Sequence, residues 1–159
     1  MAVLTDVKGR NKTNVDAEPS VKLDVSEHRG RVRRLYDEYV VDAADEFGLN
    51  SIIRMSTIPA NSRLMDARAV IPDAGSTGVV DVGWAASAQG GEAADPNGIF
   101  SGLDPASAAV DAKMAGTIAG YNKKFTEEVE AQMLWTTASD DFAGGSGGTI
   151  KLELLVAID

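Results

Sequence analysis

The sequence predicts an all-β protein: one β-sandwich of the jelly-roll kind over residues 31–159, preceded by an extended N-terminal arm over residues 1–30. Three observations predict it. Apolar and polar residues alternate with period two through the runs that follow residue 50, the signature of sheets with one buried face. Turn residues (Pro, Gly, Asn, Asp) separate those runs. No strand–helix alternation of the kind that builds parallel α/β sheets occurs.

Taken in order, residues 1–30 contain Val3, Leu4, Val7, Val15, Val21, Leu23 and Val25 without a sustained period, and Pro19, Gly30 and small polar residues interrupt each apolar run. This composition suits an arm that orders on a neighbour rather than on its own body. Residues 31–47 are ambiguous. Val32, Tyr36, Tyr39, Val40, Ala43 and Phe47 recur at helical spacing, whereas Tyr36, Tyr39, Val40 and Val41 favour strand. A strand over 31–41 is preferred, with a turn or helical stub before Gly48. Ser51–Ile58 is a strand stopped by Pro59, and Ala60-Asn61-Ser62 is a turn.

Met65, Ala67, Ala69 and Ile71 then alternate with Leu64, Asp66, Arg68 and Val70. Val80, Val82, Trp84 and Ala86 alternate with Val79, Asp81, Gly83 and Ala85. Phe125, Val129, Ala131, Met133 and Trp135 share one face of the next run, and Ile150, Leu152, Leu154, Val156 and Ile158 share one face of the last. The glycine-rich segment 143–148 reads as a hairpin between these two. The segment 90–122 is weakly patterned, and its alanine-rich part, 106–119, suits a short helix or a strand; a connection this long is usually functional or interfacial.

A chain of 159 residues, 44% hydrophobic, suits one compact domain. Without cysteine there is no disulfide, thiolate zinc site or cysteine nucleophile. No long apolar run predicts a membrane span, and the N-terminus does not resemble a signal peptide. The formal charge of −9 is uneven. Residues 1–34 carry eight basic and five acidic side chains, net +3, and the remainder seven basic and nineteen acidic, net −12. An acidic body disfavours nucleic acid, while the basic arm, with Lys8, Arg10, Lys12, Lys22 and Arg29, suits a tether to an acidic partner. An ordinary solvated terminus has the same composition.

The chemistry-bearing patterns fall short of enzymes. Gly144-Gly145-Ser146-Gly147-Gly148 matches the nucleophile-elbow pattern, but it leads into a strand and the chain's one histidine, His28, lies in the arm. Neither Glu92, Asp95, Asn97 and Asp104 nor Asp140 and Asp141 have EF-hand spacing, so calcium is not expected; one histidine cannot build a zinc site. Glu127, Glu128, Glu130, Asp81 and Asp66 offer no carboxylate pair set at apolar positions. No phosphate-binding or dinucleotide fingerprint occurs. Trp84 and Trp135 share faces with apolar residues and are expected in the core, not stacked on sugar. No catalytic residue, cofactor or metal is expected.

Gly30-Arg31-Val32-Arg33-Arg34-Leu35-Tyr36-Asp37-Glu38-Tyr39 begins a run of short motifs in order. Ser51-Ile52-Ile53-Arg54-Met55, Ile58–Ala67, Asp73–Trp84 and Ala119-Gly120-Tyr121-Asn122-Lys123-Lys124-Phe125 continue it. Over residues 30–159 the chain resembles small structural proteins of tailed-bacteriophage particles, those that decorate or cement the capsid. The resemblance implies a non-enzymatic virion protein, made in the bacterial host cytoplasm, that binds the major capsid protein on the outside of the shell. It also implies a homo-oligomer, with a trimer foremost. The arm lies outside the resemblance; with Phe100 and Tyr121 of the 90–122 segment, its basic residues are the candidate contacts. A neck or tail component and a carbohydrate-binding module for host attachment are the competing readings.

Overall fold

The computed structural model describes residues 3–9, 13, 16, 32–42, 45–74, 77–106, 108–115, 119–138 and 148–158, with only the backbone described at 3–6 and 46. Among the described residues ten strands form two packed sheets: β1 (Val3–Lys8), β2 (Val32–Val41), β3 (Glu46–Ile58), β4 (Ser62–Ile71), β5 (Val79–Trp84), β6 (Asp95–Leu103), β7 (Val110–Lys113), β8 (Lys124–Phe125), β9 (Val129–Thr137) and β10 (Gly148–Ile158). One sheet runs β1-β3-β9-β5-β6; the other runs β2-β10-β4-β7, with β8 also paired to β4. The pairs nest from the outside in, β2 with β10, β3 with β9, β4 with β7 and β5 with β6, all antiparallel.

The inward residues of both sheets meet in one core. Phe47, Ile53, Leu64, Met133, Trp135, Leu152 and Leu154 are among those wholly buried. Trp135 lies against Phe47 with ring centroids 4.2 Å apart and planes 17° from parallel, and Trp84 meets Phe125 edge-on at 5.1 Å. Both tryptophans are thus core residues, as their alternation predicts. The preferred strand for 31–41 forms as β2.

Several expectations are corrected. The first residues of the expected arm are strand: β1 pairs in parallel with β3, Val3 opposite Glu46 and Lys8 opposite Arg54, so partner-strand hydrogen bonds supply the order that the local sequence lacks. Apart from Gly9, Thr13 and Asp16, the rest of the arm lies outside the described residues. β3 begins before Gly48 rather than after it; Asn50, at φ 68°, takes a left-handed conformation within it.

In β4 the inward phase changes. Leu155 faces Asp66 and Val156 faces Leu64, which leaves Met65 as the extra residue of a bulge. Leu64 is therefore buried and Met65 is 40% exposed, the reverse of strict alternation. The weakly patterned 90–122 segment contains two edge strands, β6 and β7. Asp95-Pro96-Asn97-Gly98 has turn composition yet opens β6, because an edge strand tolerates proline and because Gly98 lets the chain pass the Trp84 ring, from which a Cβ would lie only 2.3 Å. Phe125 and the β9 residues keep one period but occupy different sheets. β9 and β10 are likewise in different sheets, so 143–148 belongs to a sheet-to-sheet connection and not a hairpin; those residues lie outside the described set, except Gly148.

β2 is a sheet edge, and its inward phase carries Arg33 and Asp37 between Leu35, Tyr39 and Val41. Asp37 is wholly buried, and its carboxylate accepts the Glu38 N–H at 2.9 Å and occupies the space a side chain at Gly9 would need. Inward charge on an edge strand disfavours edge-to-edge pairing with a second sheet. Asp37 is absent from the acids singled out by sequence, although its place in the alternation is visible there.

Candidate interaction surface

The outer face of the β2-β10-β4-β7 sheet is built by the residues that alternate with the core. Their register sets them in rows across the strands. Tyr36, Glu153, Arg68 and Lys113 form one row, and Glu38, Lys151, Val70 and Asp111 the next. Diagonal ion pairs tie the rows together. Arg34 Nε and Nη2 donate to the two Glu153 oxygens at 2.8 and 2.9 Å, and Arg68 donates to both Asp111 oxygens at 2.7 and 2.6 Å. The Arg34 guanidinium also stands 5.2 Å from the centre of the Tyr36 ring. Arg34 holds the Glu153 carboxyl below its ordinary range, and Arg68 does the same for Asp111. These pairs are solvent-exposed, so they order the face more than they stabilise the fold.

The charge on this face departs from the rest of the molecule. Arg34, Arg63, Arg68, Lys113, Lys124 and Lys151 lie on it, six of the eight basic residues from Arg34 onward, against the acids Glu38, Asp66, Asp111 and Glu153. The exposed apolar residues Val32, Met65 and Leu155 lie toward one end of the same face. Within a body that is net acidic, as the charge count predicts, this face is net cationic and partly apolar.

One end of the sandwich has the opposite character. The connections that leave β2, β4 and β6 carry Asp42, Asp45, Asp73 and Asp104, and the Ala74 N–H donates to the Pro105 carbonyl to hold two of them together at 2.9 Å. Leu49, 64% exposed, is near this end of β3. Tyr39 donates to Asp45 at 3.1 Å; its hydroxyl is pushed up to about 12, first by burial and then by that carboxylate.

At the other end a polar latch fixes the 85–94 connection against 123–127. Glu92 is buried; its Oε2 accepts from Lys123 Nζ at 2.8 Å, and its Oε1 accepts from the Thr126 N–H at 2.8 Å and hydroxyl at 2.9 Å. Glu127 accepts from the Ser87 hydroxyl and from the Gly91 N–H. Glu92 and Glu127, weighed in the sequence as a loop ligand and a catalytic acid and set aside there, serve as structural anchors. Replacing Glu92 with alanine should cost about 2–3 kcal/mol, since it strands a half-buried ammonium and two donors. The Lys123 ammonium, then the Thr126 N–H, hold the Glu92 pKa below its ordinary 4.5. The stability it contributes is therefore full above pH 4.5 and fades as pH falls through the lower folded value. Urea unfolding should show the wild type and Glu92→Ala differing most at neutral pH and converging in acid.

The expected contact residues are dispersed. Lys8 is exposed and pairs with Asp16 at 2.7 Å. Arg10, Lys12, Lys22 and Arg29 lie outside the described residues, as do His28, Ser146, Asp140 and Asp141. Phe100 is corrected: it is 5% exposed and belongs to the core through β6, so no partner reaches its ring. Tyr121 is 45% exposed, on a turn held by the Gly120 N–H donating to the Gly98 carbonyl. Among the described residues no cluster of three or more histidine or carboxylate side chains is arranged to hold a metal ion.

No protein-family model matches the sequence, and no curated protein matches it. The fold, however, is similar to that of a chain in the capsid of Ralstonia phage GP4, with a TM-score of 0.65 and 18% identity over 87% of this chain and 92% of that one. A chain of the cyanophage Pam1 capsid asymmetric unit aligns with a TM-score of 0.48 and 14% identity, over 89% of this chain and 96% of that one.

Proposed function

We propose that this chain is a non-enzymatic structural component of a tailed-phage capsid, a decoration or cement protein bound to the outside of the shell. One observation carries the reading: 87% of this chain is similar in fold to a chain of the GP4 capsid, and 92% of that chain is covered in return. A neighbour covered to that extent is itself a protein of about this size, which favours an accessory component over a domain of a large shell subunit. The nested strand pairing supports a jelly-roll reading of the sandwich. A stiff double sheet whose buried carboxylates are spent on internal anchors suits mechanical rather than chemical work.

In this reading the partner is the major capsid protein, the chain acts as a homo-oligomer with a trimer foremost, and the virion surface is its location. The basic residues of the arm, Arg10, Lys12, Lys22 and Arg29, are the shell contacts in this reading. A tether turns weak contacts into a collectively strong one by raising their effective concentration. The test is binding to undecorated capsids. The wild-type chain should saturate them, and the joint substitution of those four residues by alanine should weaken binding about tenfold or more while leaving β1 in place. Undiminished occupancy would remove the arm from the interface, and no binding by the wild type would remove the capsid reading.

A further inference from the structure

We infer that the cationic face of the β2-β10-β4-β7 sheet docks on the acidic end of a second copy of this chain. The inference goes beyond the capsid reading, because it concerns the free chain. Its basis is complementarity within one molecule. The face carries six cations and four acids together with Val32, Met65 and Leu155, in a stretch, residues 32–159, that has nine basic and nineteen acidic side chains and a net charge of −10. The acidic end presents Asp42, Asp45, Asp73 and Asp104 with the exposed Leu49. The face is thus net cationic and the end acidic, and both expose apolar side chains.

The face is also prepared for contact. The Arg34–Glu153 and Arg68–Asp111 pairs hold its long side chains in place, which lowers the entropy lost on docking. Lys113, opposite Arg68, and Lys151, opposite Glu38 and Val70, are exposed beside those pairs and supply the long-range attraction. The inward charges of β2 disfavour the alternative of joining two sheets edge to edge. Contact between a face and an end is heterologous, so it generates a closed ring when the rotation closes. A trimer is one such ring.

The test uses the full purified chain and light scattering after size exclusion. The wild type should associate at low salt and dissociate as salt rises, because the charges involved are exposed and screened within about 10 Å at 0.1 M. Joint Lys113→Glu and Lys151→Glu should weaken association about tenfold or more, and so should joint Asp73→Lys and Asp104→Lys, since each sets like charges against one another. Mixing the two variants should restore association, which also shows that both are folded. An oligomer insensitive to the end substitutions, or a wild type monomeric at every salt concentration, overturns the inference. A monomeric chain that still saturates undecorated capsids would overturn it and leave the capsid reading standing.

Discussion

Gly83→Val should destabilise the protein by about 3 kcal/mol, near the upper end for overpacking. A Cβ at Gly83 would lie 1.9 Å from the Asp95 carbonyl oxygen and 2.6 Å from the Pro96 carbonyl carbon. Those are backbone atoms, which cannot swing aside as a side chain can. β5 and β6 must part at this point, and β6 carries Ile99 and Phe100 into the core. Gly98→Ala should cost less, because its nearest neighbour is the rim of the Trp84 ring rather than main chain. Urea unfolding followed by tryptophan fluorescence checks both. A Gly83→Val midpoint equal to wild type would mean that β6 is not held where the structure places it.

The second large effect lies at Trp135. Replacing it with alanine should cost about 3–5 kcal/mol, the usual range for emptying a large aromatic site. Phenylalanine should cost much less than its lost volume suggests. The Trp135 indole N–H is buried and has no acceptor among the described residues, and an unsatisfied buried donor costs about 1–3 kcal/mol. Trp135→Phe removes that donor while keeping a ring against Phe47. Calorimetry of the three proteins separates the contributions. Equal losses for the alanine and phenylalanine variants would contradict this view of the core.

These two sites show where the sequence is legible and where it is not. β5, β9 and β10 can be read directly, because each buries one face and leaves the other wetter, so burial itself writes the period. β6 is hidden because its opening residues are chosen for passage beside Trp84, a tertiary reason that looks locally like a turn. β1 is hidden because its order comes from parallel pairing with β3. Alternation alone sets Met65 inward, because a bulge resets the phase without a local sign. Phe100 reads as a surface residue for the same reason that β6 is hidden.

The candidate surface requires both levels. Arg34, Arg63, Arg68, Lys113, Lys124 and Lys151 are scattered through the sequence, and only strand order brings them onto one face. Alternation shows which side of its strand each of Arg68 and Lys151 takes, but not that the strands adjoin. The basic arm residues, in contrast, are visible from charge counting alone.

The capsid reading stands or falls on whether this sandwich is a repeated part of a shell. Quantifying its copies in purified particles of the phage that this reading assigns it to, against that phage's major capsid protein, tests that most directly. The expected result is copies on the order of hundreds, matching the repeated positions of a shell, with the chain on the outer surface in images of the particle. About three to a dozen copies per particle, as at a neck or tail, or none, would contradict it.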